Sequence, residues 1–183
     1  MTEIFHVLPP LLECAVEAEK YVAAAGWDQP VRLFALVDAA RFAQAEPGLA
    51  DTLHEARDDG GEVEPGSAFV TIEQEDLPPH EDVEELLAQL AWPAEVDGVA
   101  ISLERIVLPP EAGADLPEDP AEAARASLEH PERADIRLLA AVCRDGERVC
   151  VVRQRAHDSD DEVATGSEIA PGLLDALAAT LED

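Results

Sequence analysis

The sequence is poor in positive charge. Twelve lysines and arginines stand against 41 carboxylates, giving a formal net charge of −29 and an isoelectric point near 4.2. Phosphate binding rests on cations that displace counterions, so no nucleic acid and no anionic membrane is expected among the partners. Lys20 is the only lysine, and the arginine and alanine bias reads as genomic base composition. Long apolar runs are also missing. The first uncharged run, Ile4 to Leu12, is nine residues long and contains two prolines, so neither a signal peptide nor a membrane span is expected. Cysteine is limited to Cys14, Cys143 and Cys150, an odd number without zinc-site spacing, which suits a reducing cytoplasm. Glycine-rich phosphate loops are absent, as are HExxH and GxSxG patterns, and with them goes the sequence basis for a P-loop, a zinc hydrolase or a serine hydrolase.

What is present is unevenly placed. Residues 43–95 hold fifteen carboxylates against Arg57 alone, while residues 133–155 hold six arginines against Asp135, Asp145 and Glu147. A positive segment thus sits inside an acidic chain, which bears on partners and solubility but not on fold. Hydrophobic content of 47% is in the globular range, so the acidity does not imply disorder. One domain over residues 1–183 is expected, burying roughly 70% of the surface of the unfolded chain.

Helical spacing of Leu8, Leu11, Leu12, Ala15, Val16, Val22 and Ala23 predicts a first helix from a Pro-Pro start, with Gly26 as its C-terminal cap. Val31 to Val37 reads as a buried strand, and Asp38 caps the helical stretch that follows, which breaks near Pro47-Gly48 and resumes through Leu49, Leu53 and Ala56. A second strand covers Ala68 to Glu73. Val83, Leu86, Leu87 and Leu90 mark a helix whose other face is nearly all acid, and Val96 to Leu108 alternates as a long strand. Residues 109–134, with five prolines and seven acids, read as an excursion containing a short helix capped by Asp119 with Pro120 at its first position. Ile136 to Cys143 and Glu147 to Arg155 flank Asp145-Gly146, a two-residue hairpin signal. Pairing about that turn sets Val142 against Val149 and Ala141 against Cys150. Cys143 and Cys150 then share a face, Arg153 and Arg155 share one, and Arg137 and Arg148 lie on the other. A last amphipathic helix runs through Ile169, Leu173, Leu174, Leu177, Ala178 and Leu181. The expected fold is α+β, two-layered, with about five strands in a mixed or mainly antiparallel sheet and amphipathic helices packed on it. A doubly wound parallel fold is the alternative.

Gly26-Trp27-Asp28-Gln29-Pro30, Arg32 to Val37, Ala91-Trp92-Pro93, Ile106 to Pro110, His130-Pro131 through Gly146, and Pro171 to Leu174 together resemble a family of small acidic actinobacterial proteins of uncharacterised function. The resemblance spans nearly the whole chain and implies a bacterial cytosolic single domain. It implies no activity, cofactor or catalytic residue.

Several clusters invite a chemical reading. Asp158 to Glu162 offers oxygen ligands but lacks the glycine and distal glutamate of a calcium loop, and reads as a solvated acidic loop. Glu73, Glu75 and Asp76, or Glu84 and Glu85, form carboxylate pairs of the kind that separate acid from base, yet 41 acids produce such spacings by chance. Histidines 6, 54, 80, 130 and 157 are scattered. Ser67, Ser102 and the Thr165-Gly166-Ser167 turn lack a nucleophile context, and Cys143 and Cys150 read as small core residues. No catalytic residue, metal site or cofactor is therefore assigned. Arg137, Arg148, Arg153 and Arg155 carry the sharper expectation, that the final hairpin offers guanidinium forks to an anionic ligand or an acidic partner segment. The plainer expectation is that they pair with this chain's own acids. Charge separation without catalytic chemistry points to a non-enzymatic cytosolic protein-interaction module, chaperone- or adaptor-like, with a basic protein partner or a second copy of itself. The competing expectation is a small-molecule enzyme or sensor holding an anionic metabolite at the arginine-bearing hairpin.

Overall fold

The computed structural model describes residues 8–48 and 68–182. In chain order these residues form α1 (Pro10–Ala23), β1 (Arg32–Asp38), α2 (Ala39–Ala45), β2 (Phe69–Gln74), α3 (Val83–Ala88), β3 (Gly98–Val107), α4 (Pro110–Ala114), α5 (Pro120–Glu129), β4 (Ala134–Cys143), β5 (Arg148–Gln154), a 3₁₀ turn (Asp160–Glu162), β6 (Ala164–Gly166) and α6 (Pro171–Ala179). The expected resumption of helix through Leu49, Leu53 and Ala56 lies outside the described residues, as do His6, His54 and Ser67.

Six strands, rather than five, form one sheet in the order β2-β1-β3-β4-β5-β6. Every neighbouring pair is antiparallel, which rules out the doubly wound parallel alternative. The additional strand is β6, three residues that the sequence presents as a turn and that pair with Cys150 to Val152 at the sheet edge.

Helices cover both faces, so the architecture has three layers and not two. On one face α1 buries Leu11, Cys14, Ala15, Ala18 and Val22 against Phe34, Leu36, Ala100, Leu139, Ala141, Val149 and Val151. On the other, Leu86 and Leu87 of α3 with Leu174, Leu177 and Leu181 at α6 pack against Leu33, Val99, Ile101, Leu138, Ala140 and Cys150. The cause is legible in the central strands. Leu138 to Cys143 and Val149 to Val152 are unbroken apolar runs, and a strand apolar on both faces needs cover on both.

Local signals act as written. Asp38 accepts from the Arg41 amide at 2.8 Å and Asp119 from the Ala121 and Glu122 amides at 3.0 Å, so both cap the helices they precede. Within residues 109–134 the expected helix is present at Pro120–Glu129 and a second one precedes it at Pro110–Ala114: Pro110 and Pro120 occupy first-turn positions whose amides would have no helical partner.

The β4–β5 hairpin differs from expectation by one residue. Cys143 and Glu147 close the loop, with the Cys143 amide donating to the Glu147 carbonyl at 2.9 Å and the Gly146 amide to the Cys143 carbonyl at 3.0 Å. Gly146 has φ +95° whereas Asp145 is outside the left-handed region, so the turn has three residues with glycine alone at the left-handed position. Val142 therefore faces Arg148, Ala141 faces Val149 and Ala140 faces Cys150. A one-residue slip exchanges the two faces of a strand. Cys143 consequently packs under α1 and Cys150 under α6, on opposite faces.

Candidate functional site

The same slip brings Arg137 and Arg153 directly opposite each other, on the face that α1 covers. Glu104 of β3 is level with Arg137, so Glu104, Arg137 and Arg153 form one row across three strands. Two like charges in register repel unless countered. The counter-charge comes from α1: Glu19 sits within the helix's buried stripe and is 1% exposed, beside Arg137 at 1% and Arg153 at 2%.

Arg153 is fully engaged. Its Nε and Nη2 donate to the two carboxylate oxygens of Glu19 at 2.7 Å each, its Nη1 to Asp158 at 3.1 Å and its Nη2 also to Asp160 at 2.6 Å. These acids, Glu19 foremost, hold the Arg153 guanidinium more firmly protonated than usual. Asp158 and Asp160 of the acidic loop are thus turned onto an arginine, and the described residues contain no cluster of three or more His, Cys, Asp or Glu side chains able to hold a metal ion.

Arg137 is less well satisfied. Its Nη2 donates to Glu104 at 3.1 Å and to the Gly26 carbonyl, and its Nη1 lies 3.8 Å from Glu19, but Nε and Nη1 make no hydrogen bond. Its guanidinium carbon stands 4.4 Å from the centroid of the Trp27 ring, and that of Arg155 stands 5.5 Å from the same centroid. Trp27 is therefore a contact for two cations. The indole Nε1 donates to Asp158 at 2.9 Å, the main reason the Asp158 carboxyl is held below its ordinary range.

The turn after α1 places Trp27. The helix is capped at Ala24, not at Gly26 as expected; Gly26, two residues on at φ +88°, turns the chain, and the Gln29 side chain donates to the carbonyls of Val22 and Gly26. Asp28 then takes the left-handed conformation at φ +63°, and its amide donates to Glu104 at 2.8 Å. Its carboxylate oxygens accept from Nη1 and Nη2 of Arg155 at 2.8 Å each. That fork holds the Asp28 carboxyl below its ordinary range.

Arg148 stands apart from the other three, on the opposite face, where it donates to Asp175 of α6 at 2.7 Å. Each of the four expected arginines thus meets a carboxylate of this chain. Arg137 and Arg153 join in one buried cluster, Arg155 borders it through Trp27, and Arg148 does not take part.

Beside the cluster lies a cavity of about 550 Å³ between the Trp27-Asp28 turn, α5 and the adjoining ends of β3 and β4. Arg105, Arg133 and Arg155 reach its wall together with Ile106, Leu128 and Ile136. No thiol lines it. Cys14, Cys143 and Cys150 are all buried and unpaired, and burial pushes each thiol up, Cys143 to about 12, which leaves them poor nucleophiles at neutral pH. Among the carboxylate pairs, Glu73 is bound to Arg32 at 2.6 Å and 2.8 Å, and Glu85 closes the start of α3 by accepting from the Glu81 amide at 2.7 Å. These are structural roles.

Sequence reasoning did not single out Glu19, Asp28 or Glu104. The available signal was a carboxylate at position 19 inside an apolar helical stripe, a location that burial of the stripe makes costly without cations opposite.

An open antiparallel sheet clad by helices on both faces, with an ionic cluster under one of them, defines the protein as α+β. The chain belongs to the PPA1309-like protein family, whose profile matches residues 11–182. Neither the curated proteins nor the solved structures contain a match. Among the described residues no helix is long and apolar enough to cross a membrane.

Proposed function

We propose that the protein acts as a non-catalytic cytosolic interaction module, adaptor- or chaperone-like, that presents carboxylates to a basic protein partner. One observation carries this reading: most cations of the chain are consumed internally. Among the described residues only Lys20, Arg105 and Arg125 take part in neither an ion pair nor, as Arg144 does, a set of bonds to backbone carbonyls. The surface is left with exposed acids, as at α3 and the two residues before it, where Leu86 and Leu87 face the core and Glu81, Asp82, Glu84 and Glu85 face solvent. Such a surface attracts cationic partners at a rate and range set by ionic strength.

The test is capture from native lysate at low and physiological salt, with wild type and Glu81→Gln/Glu84→Gln, which leaves the capping residues Asp82 and Glu85 in place. A partner retained by wild type at low salt, and lost both in salt and in the variant, supports the reading. Retention that ignores both changes counts against it. Sedimentation at the same two salt concentrations separates this from a homodimer held by an apolar seam, which salt leaves intact.

A second reading, a small-molecule enzyme or sensor that takes an anionic metabolite at the arginine-bearing hairpin, draws support from the cavity beside Trp27. Of the four expected arginines, Arg155 is the one on its wall. A dose-dependent rise in Tm with an anionic metabolite, abolished by substituting Arg155, favours it over the module.

A further inference from the structure

The cavity beside Trp27 is charge-balanced on a strongly acidic chain, with three arginines and three carboxylates on its wall. Among the described residues Arg105 makes no ion pair, Arg133 donates to the Leu128 carbonyl and lies 3.8 Å from Asp135, and Arg155 is tied to Asp28. Against them stand Asp28, Glu104 and Asp135. Glu104 is already accepting from the amides of Asp28 and Gln29 and from Arg137. Were Asp28 to swing away, three guanidinium groups would face two carboxylates, a local excess of positive charge on a chain of net −29.

Asp28 is the replaceable member of its pair. Its side chain is 74% exposed against 42% for Arg155, and the Arg155 fork is the one contact its carboxylate makes among the described residues. Chemically, its carboxylate on the Arg155 fork is the head of a carboxylic acid supplied by the chain itself. The adjoining wall is apolar: Ile106, Ala124, Leu128 and Ile136 line it, and Leu128 is 53% exposed.

We propose that this cavity binds an amphiphilic carboxylate, a singly charged acid with a compact apolar body, whose head takes the place of Asp28 on Arg155 and whose body covers Ile106 and Leu128. A volume of about 550 Å³ is in the range of small-molecule sites. The guanidinium fork matches the two oxygens of a carboxylate. A doubly charged phosphate would set its second charge against Glu104 and Asp135, whereas a monoanion leaves the apolar wall to supply the remaining affinity. Asp28 acts as a tethered competitor, lowering the apparent affinity by the fraction of time it holds Arg155.

This inference rests on the second reading above, and one experiment separates the two. Octanoate, octanamide, inorganic phosphate and citrate are titrated into the protein carrying Trp92→Phe, so that fluorescence reports Trp27, with calorimetry as the second readout. Octanoate is expected to bind saturably at one site, octanamide not. Asp28→Asn is expected to tighten octanoate binding on the order of tenfold by removing the competing charge, and Arg155→Met to abolish it. Should Arg155→Met not fold, the Asp28→Asn change decides. Equal binding of octanamide, or octanoate binding that neither variant alters, overturns the inference. Phosphate or citrate binding that needs Arg155, with octanoate silent, overturns the inference but keeps the second reading. Silence of every anion toward both wild type and Asp28→Asn overturns both.

Discussion

Arg153 grips Glu19 with two parallel hydrogen bonds of 2.7 Å, joining residues 134 positions apart in the chain. The pair ties α1 to the last long strand. With Arg137 3.8 Å from the same carboxylate, it forms an Arg-Glu-Arg arrangement almost without solvent contact. Burying three charges is costly, and such groups are stable only while each has its counterpart.

Glu19→Gln is therefore expected to destabilise the fold by about 3 kcal/mol, the low end for a broken buried pair, since Asp158, Asp160 and Glu104 still counter the two guanidinium groups. Urea unfolding measures this directly. Replacing all three together, as Glu19→Leu/Arg137→Met/Arg153→Leu, is expected to recover most of the loss, because the uncompensated charge is what is costly and not the missing bonds. A triple variant less stable than Glu19→Gln would contradict this.

Two glycines are expected to respond to alanine for different reasons. At Gly98 an added Cβ would lie 2.6 Å from the Val142 carbonyl oxygen and 2.9 Å from the Cys143 sulfur, so strands β3 and β4 must shift, at about 3 kcal/mol. At Gly146 nothing lies within 4 Å, and only the left-handed backbone opposes the change, at about 1 to 2 kcal/mol. Denaturant midpoints should rank Gly98→Ala below Gly146→Ala.

Glu73 carries a pH signature. Hydrogen bonds from Arg32, and less strongly from Tyr21, hold its carboxyl below the ordinary value near 4.5. A carboxyl lowered by folding contributes stability that is present above its unfolded pKa and is lost as pH falls through the folded one. The stability difference between wild type and Glu73→Gln should be constant from neutral pH to about 4.5 and shrink below it. A difference that persists to lower pH, or that shrinks already near pH 6, would contradict the assignment.

The thiols should be silent in the folded protein. All three are buried, and Cys143, pushed up to about 12, has almost no thiolate at pH 8. Iodoacetamide is expected to label none of them in native buffer and all three in urea. Rapid native labelling at Cys143 would show that its strand end opens.

Local chemistry was largely legible in the sequence: Asp38 and Asp119 as caps, Pro120 at a first helical position, the long strand ending before Pro109, and the apolar stripe of α1. What failed did so through single residues with long reach. Asp145-Gly146 reads as a two-residue turn, but the chain closes between Cys143 and Glu147, and that one position moves Cys150 to the opposite face from Cys143 and sets Arg137 beside Arg153. Periodicity cannot detect such a shift here, because β4 and β5 are apolar on both faces and neither register exposes a hydrophobic side. The candidate site was legible only in half. Its cations stood out as an arginine-rich segment, while their counter-charges Glu19, Asp28 and Glu104 were hidden among 41 acids.

The distance in sequence between Glu19 and Arg153 also orders events at the ribosome. Helix α1 rests on Phe34, Leu36 and Ala100 and also on Leu139, Ala141, Val149 and Val151, which are synthesised more than a hundred residues after it. A nascent chain must carry Leu11, Cys14, Ala15 and Val22 incompletely covered until the β4–β5 hairpin emerges from the exit tunnel. Truncation before residue 148 would therefore leave a sticky, undocked amphipathic segment, the kind of product that quality-control proteases and trigger-type chaperones recognise.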